Sequence, residues 1–325
     1  MHFRAGSLSA NSLGRSAAAF GGTTLRLLAV TATTLLLALA ESALAQRPPV
    51  IDVHVHSGQE PRSVVATHDS LHVRFAVVSV LQSDLRTWAN ADTGRFYLGL
   101  LFPCERGRMP NTGLACFDDG ADFPDTTWLR AELRAGRLRV LGELVPEYVG
   151  MTPNDPRLEP YWRLAEEFDV PVAIHMGPGP PAAAYDLSPV PYKSPNFRMA
   201  AGDPLLLEEV LLRHKRLRLY VMHAGWPRLE SMLALLYAHP NVYVDVGVLQ
   251  FEVVMPKPAY LRYLRGLVES GFGKRVMFGS DFADQQGLGI DIILEAEFLT
   301  AEQKSDILCN NAARFFRLRA GICNP

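Results

Sequence analysis

Beyond Pro48-Pro49 the chain alternates short apolar runs with amphipathic stretches. Eight runs stand out, at residues 50–56, 75–81, 97–103, 139–145, 171–177, 217–225, 242–247 and 276–282. Each is rich in Val, Ile, Leu or Tyr, and several show no polar alternation until their last residues. That is the pattern of parallel strands buried on both faces. Helical stretches lie between them. In 157–168, Leu158, Tyr161, Leu164 and Ala165 make one apolar face. The stretches 204–214, 228–238, 259–269 and 301–318 behave similarly, and 125–138 reads as a helix with Gly136 near its end. Eight strands alternating with helices predict a closed (β/α)8 barrel, the TIM barrel; a doubly wound open sheet is the alternative.

The first 45 residues stand outside this alternation. Arg4, Arg15 and Arg26 make a basic start, residues 27–40 carry no charge, and Ala43-Leu44-Ala45 supplies small residues at the positions a signal peptidase reads. The pattern predicts a secretory leader at 1–45, a mature domain at 46–325 and a first residue Gln46. A transmembrane anchor is the competing reading, but the uncharged stretch spans only ~21 Å of helix against a ~30 Å hydrocarbon core. The expectation is therefore an exported protein, periplasmic or secreted, with no membrane association once the leader is removed.

Composition narrows the picture further. Of 325 residues, 48% are hydrophobic and 20% charged, which excludes wholesale disorder. The net charge is −2 and no Lys/Arg run occurs, which argues against a nucleic-acid surface. In an oxidising compartment Cys104, Cys116, Cys309 and Cys323 are free to pair. Three connectivities exist, of which the local one joins Cys104 to Cys116 and Cys309 to Cys323; spacing does not choose among them. No CxxC occurs, which argues against a thiolate metal site.

Two connections, 102–125 and 177–203, are longer than a barrel needs, and the second contains six prolines. Both leave C-terminal strand ends, where barrel active sites are built. The second reads either as a substrate wall or lid, or as an insertion without function.

The chemistry concentrates at those same ends. Strand 1 closes with Asp52-Val-His54-Val-His56, and alternate strand residues share a face, so both imidazoles should project into the barrel. Strand 5 ends in Ile-His175-Met, strand 6 in Met-His223-Ala-Gly and strand 8 in Gly-Ser-Asp281-Phe. Four of the nine histidines thus stand at predicted strand ends. A hydrogen-bonded core pair is the bland account of His54 and His56. A shared cation explains all of these positions together.

The order of these groups resembles the amidohydrolase superfamily. The strings Asp52-Val-His-Val-His56, His175, His223-Ala-Gly-Trp-Pro227, Gly279-Ser-Asp281 and Asn311-Ala-Ala-Arg314 are similar to its amidohydrolase-related branch, which includes enzymes like aminocarboxymuconate-semialdehyde decarboxylase. The resemblance implies one divalent metal held by His54, His56, His175 and Asp281. Zn²⁺ suits that donor set, with Mn²⁺ or Fe²⁺ also compatible. Asp281 would also take a proton from the metal-activated water, and His223 would stand beside the metal to polarise a substrate carbonyl. The branch contains hydrolases, lactonases, decarboxylases and hydratases, often as homodimers.

Strand 4 departs from the binuclear relatives, which bridge two metals with a carbamylated lysine. Here it reads Gly-Glu143-Leu, and Lys274, the one lysine near a strand, precedes strand 8 at the opposite pole. Three roles stand open for Glu143: bridging a second metal, orienting the water, or accepting hydrogen bonds behind the ligands. Trp226 and Arg198 are candidate pocket residues, and Asp245 on strand 7 faces the same end. His68, His72, His214 and His239 read as bystanders.

The resulting expectation is hydrolysis of an amide, ester or lactone bond in a small organic substrate. Decarboxylation of an aromatic or unsaturated acid uses the same ligands. A non-catalytic metal-containing barrel is the rival from another class.

Overall fold

The computed structural model describes residues 47–91, 94–185 and 190–324. The leader expected at 1–45 lies outside them. Eight strands follow one another in space in sequence order, and every neighbouring pair is parallel. They are β1 (Val50–His56), β2 (Val73–Val80), β3 (Phe96–Phe102), β4 (Val140–Leu144), β5 (Val172–His175), β6 (Leu219–Met222), β7 (Val242–Asp245) and β8 (Val276–Met277). The ring closes between β1 and the segment after β8. Val53 N donates to Phe278 O, Asp281 N to His54 O and His56 N to Asp281 O, at 3.0, 2.8 and 3.2 Å. The fold is the expected (β/α)8 barrel, not an open doubly wound sheet.

Two apolar layers hold it. Ile51, Val53, Phe75, Val77, Tyr220 and Met277, from opposite sides of the ring, pack inside the barrel. Phe315 and Phe316 of the last helix close its lower end. The other layer lies between the strands and the surrounding helices, and includes Val50, Val55, Leu100, Leu141 and Val221.

The helices are α1 (Pro61–Leu71), α2 (Gln82–Ala89), α3 (Thr126–Arg134), α4 (Glu159–Phe168), α5 (Glu208–Arg213), α6 (Leu229–Ala238), α7 (Lys257–Leu267), α8 (Gln286–Glu295), α9 (Ala301–Ser305) and α10 (Asn311–Phe316). Asp125 caps α3 by accepting from Trp128 N at 2.8 Å. The C-terminal stretch expected as one helix is broken: α9 passes through a π turn, Asp306–Asn310, into α10. Asn311 there is fully buried and donates to the carbonyls of Gly273 and Val276, which fastens α10 beneath β8. The Asn-Ala-Ala-Arg string is thus a structural clamp.

Both disulfides are local, Cys104–Cys116 and Cys309–Cys323. Among the described residues no helix is long and apolar enough to cross a membrane. The two long connections join each other. Asn111 and Tyr192 form an antiparallel bridge, and Ser194 Oγ donates to Asn111 Oδ1 at 3.0 Å.

Candidate metal centre

The strand order brings His54, His56, Glu143, His175, His223 and Asp281 to one end of the barrel. Pairing between β1 and β2 slips between Asp52 and Val55. The slip lets Val53 and His54 both meet residues from across the barrel, which strict alternation forbids. His223 and Asp281 both take positive φ, 56° and 72°. Non-glycine residues adopt that conformation at a cost, and it is concentrated at functional sites. Gly177 makes room for His223: a Cβ there would stand 2.6 Å from the histidine's own Cβ.

Glu143 is the hub. Its main-chain N–H donates to Ser79 Oγ at 3.1 Å, which fixes the start of the side chain. Its Oε2 lies 3.0 Å from His56 Nε2 and 3.5 Å from His54 Nε2. Its Oε1 lies 2.6 Å from His175 Nδ1 and 3.8 Å from His223 Nε2. Asp281 Oδ1 is 3.0 Å from His56 Nε2 and 3.3 Å from His54 Nε2. All six residues are buried except His56, whose side chain is 25% exposed and so marks the open side.

Residues behind the cluster set its tautomers. His223 Nδ1 lies 2.9 Å from Gly247 O. A carbonyl only accepts, so Nδ1 carries the proton and Nε2 points inward. His54 Nδ1 faces Asp245 Oδ2 at 3.2 Å. Asp245 Oδ1 accepts from the main-chain N–H groups of Gly247 and His223, at 2.8 and 3.2 Å. His175 is flanked twice, because its Nε2 lies 3.0 Å from Glu147 Oε1. Glu147 is fully buried, and nothing in the sequence marked it beyond its place four residues after Glu143.

The electrostatics favour a cation. Burial opposes charge on His54, yet Asp245 and Asp281 outweigh it and hold its pKa well above the usual histidine value. Burial likewise opposes charge on His56, but Asp281 and Glu143 raise it to about 9. For His175 the desolvation is outweighed by Glu147 and Glu143, which raise it to about 10. Burial pushes the Glu143 and Asp281 carboxyls up, but the neighbouring imidazoles hold both well below the carboxylate range. His54 Nε2 has no hydrogen-bond partner although it faces two carboxylates. Carboxylates that draw protons onto neutral imidazoles are equally suited to a divalent cation, so the donor set fits one.

Three triads have donor atoms mutually within 4.8 Å: His54, His223, Asp281; His54, His56, Glu143; and Glu143, His175, His223. The set expected from sequence, His54, His56, His175 and Asp281, is not one of these groups, because the Glu143 carboxylate stands between His175 and the other three. Trp226 and Arg198 lie apart from the centre. Together with Pro178, Pro181, Phe197 and Met199 they line a cleft of about 680 Å³ in the second long connection. The Arg198 guanidinium donates to the Pro195 and Phe197 carbonyls. Phe197 and Tyr148 carry the wall back to His175, with ring spacings of 5.0 and 4.9 Å. On the open side Phe282 lies 5.7 Å from the His56 ring and stacks on Phe251. Sequence reading did not single out that aromatic pair.

A (β/α)8 barrel with imidazoles and carboxylates converging at its C-terminal mouth defines a metal-dependent enzyme class. The amidohydrolase family model matches residues 110–318, more than half of the chain. The chain belongs to the amidohydrolase family and is an enzyme of that superfamily. His54 and His56 lie before the matched region, whereas Glu143, His175, His223 and Asp281 fall within it.

No curated protein matches the chain in sequence. Solved structures match it in fold. An uncharacterized TIM-barrel protein from Bordetella bronchiseptica is 14% identical, with a TM-score of 0.58 over 83% of this chain and 98% of that one. A 5-carboxyvanillate decarboxylase from Novosphingobium aromaticivorans, complexed with manganese and 4-hydroxy-3-methoxy-5-nitrobenzoic acid, is 14% identical, with a TM-score of 0.55 over 84% and 97%. A probable 2-pyrone-4,6-dicarboxylic acid hydrolase from Acinetobacter baumannii is 14% identical, with a TM-score of 0.52 over 83% and 99%.

Proposed function

We propose that the protein is an exported hydrolase that cleaves an amide, ester or lactone bond in a small organic substrate. The observation that carries this reading is the placement of Asp281 Oδ1 within 3.3 Å of both His54 and His56, beside the half-open face of His56. His54, His56, Asp281 and Glu143 would hold a divalent cation, Zn²⁺ by its affinity for mixed imidazole and carboxylate donors, with Mn²⁺ supported by the manganese-bound decarboxylase. Such a cation, when bound, acidifies water and polarises a carbonyl.

The chain's own groups do the rest. Asp281 is ionised at neutral pH; with Oδ1 turned toward the His54 and His56 imidazoles, its other carboxylate oxygen is the one to accept the proton of the attacking water and pass it to the leaving group. Asp245 and the Gly247 carbonyl keep the His54 and His223 rings turned with their Nε2 atoms inward. Donation from His223 to a carbonyl oxygen requires its doubly protonated ring, since Nδ1 is already committed. Phe282 and Phe251 form the apolar side of the entrance, where the flat face of an unsaturated substrate fits. Export is supported by the two disulfides and by the 1–45 pattern. Mature protein is expected to begin at Gln46.

The test is turnover of lactone, ester and amide panels in ¹⁸O water. One ¹⁸O atom should enter the acid product. Asp281→Asn should slow turnover by about 10²–10⁴-fold with its far-ultraviolet circular dichroism unchanged. Full activity in that variant would contradict the site. Carbon dioxide release without ¹⁸O entry would assign the site to decarboxylation instead.

A further inference from the structure

We propose that the protein carries a second ligand site, at the pole of the barrel opposite the metal centre, where a cleft lined by Arg74, Arg95 and Arg319 takes a small, doubly charged oxyanion of the phosphate class. This site is independent of the metal-dependent reading above. The cleft has a volume of about 410 Å³. Its arginines come from the starts of β2 and β3 and from the turn that follows α10.

Charge is the first observation. Among the residues that line the cleft the only carboxylate is Asp69, which accepts from Arg95 Nη1 at 2.6 Å. Three guanidiniums against one carboxylate leave two positive charges in excess. Arg95 Nη2 donates to Val73 O at 2.8 Å, which fastens this guanidinium to the head of β2. His72 orients Arg74. Its Nδ1 lies 3.0 Å from Arg47 O, and a carbonyl only accepts, so the ring proton sits on Nδ1. His72 Nε2 then accepts from Arg74 Nη2 at 3.0 Å. Arg319 stands within the loop that Cys309–Cys323 closes. Among the described residues its guanidinium has no hydrogen-bond or ion-pair partner. Guanidinium forks match phosphate oxygens in shape, and the charge strengthens each hydrogen bond. Like charges gathered in one cleft repel unless an anion stands among them.

The second observation is a buried donor. His68 also lines the cleft and is wholly buried. Gln286 Nε2 lies 2.9 Å from Asp52 Oδ2 and 2.9 Å from His68 Nε2. The carboxylate accepts one N–H of this amide and His68 Nε2 accepts the other, so the His68 ring proton sits on Nδ1. That N–H has no partner. Buried donors in native proteins are almost always satisfied, and an unsatisfied one is destabilising. Burial, with Arg95 nearby, pushes the His68 pKa down to about 3, so the ring remains a neutral donor at neutral pH. Guanidiniums and an open N–H share one requirement, an acceptor that carries negative charge.

The test titrates mature protein with inorganic phosphate by calorimetry, with sodium chloride at matched ionic strength as the control. Wild type should bind one equivalent with a Kd of about 1 mM or tighter. Its Tm should climb with phosphate concentration beyond the climb in chloride. Arg319→Gln, an exposed change, should weaken binding about 10-fold. Arg74→Gln combined with Arg319→Gln should remove that equivalent, with circular dichroism and bound metal unchanged. Glycerol 3-phosphate should compete, and singly charged acetate at equal concentration should not. Absence of saturable phosphate binding in wild type would overturn the proposal, as would acetate competing as well as the phosphate ester. Equal phosphate binding by the double variant would also overturn it, since the anion would then sit elsewhere, as at the metal centre.

Discussion

Asp52 ties the metal centre to the outer shell of helices. Its Oδ1 accepts from the main-chain N–H groups of His54 and Ser280, and its Oδ2 accepts from Gln286 Nε2. The same Gln286 nitrogen lies 2.9 Å from His68 Nε2, so His68, expected as a bystander, buttresses the strand that carries His54. Burial, with Arg95 nearby, pushes the His68 pKa down to about 3. A folded value below the unfolded one means that stability is present above about pH 6.5 and is lost as pH falls toward 3. From pH 7.5 to 5.0 this residue should cost about 2 kcal/mol. Urea unfolding at both values should show that loss in wild type and not in His68→Leu; equal losses would refute it. His54, His56, His175, His223 and Asp281 were legible because imidazoles and a carboxylate ending apolar strands are chemically out of place there. Glu147 was not, since a lone glutamate after Pro146 reads as solvated turn. Its role exists only once β4 and β5 lie side by side.

Among the elements, β4 shows how backbone makes room for chemistry. Gly142 has φ +141°, and a Cβ on it would stand 2.3 Å from Ala173 O on β5. Gly142→Ala should therefore push Glu143 out of line and destabilise the fold by about 3 kcal/mol or more, through strain and clash together. Gly58 has open space around it, so Gly58→Ala should stay within about 0.5 kcal/mol of wild type. Denaturant midpoints decide; a neutral Gly142→Ala would contradict this geometry. All eight strands were legible from their apolar runs, though β8 keeps only Val276 and Met277 of the seven residues expected. Beyond them the chain turns to present Asp281. Helices α1, α2 and α8 escaped notice. In α1 the β-branched Val64, Val65 and Thr67 blur the helical signal, and in α8 Gly287 and Gly289 interrupt it. The break between α9 and α10 was hidden because the whole of 301–318 keeps helical composition.

For the whole molecule, the barrel is pinned at both poles. Cys104–Cys116 closes a loop of the wall above β3, and Cys309–Cys323 ties the C-terminal turn to the plug beneath the barrel. Loops of this size contribute about 3 kcal/mol each, so full reduction should lower Tm by roughly 10 °C. An unchanged Tm after thiol titration has confirmed reduction would show that neither bond bears on stability. The barrel class could be read in advance because alternation of buried strands and amphipathic helices has few closed solutions. Substrate identity could not, because it is written in the two long connections, whose shape comes from contacts such as Asn111 with Tyr192 rather than from any local pattern. The most direct measurement of the central claim is the metal content of protein purified without added metal, wild type beside His56→Ala. Divalent metal in wild type at one equivalent or more, and sharply less in the variant, is the predicted result. Equal content in the two, or none in either before or after soaking with Zn²⁺, would contradict a cation seat at the mouth of this barrel.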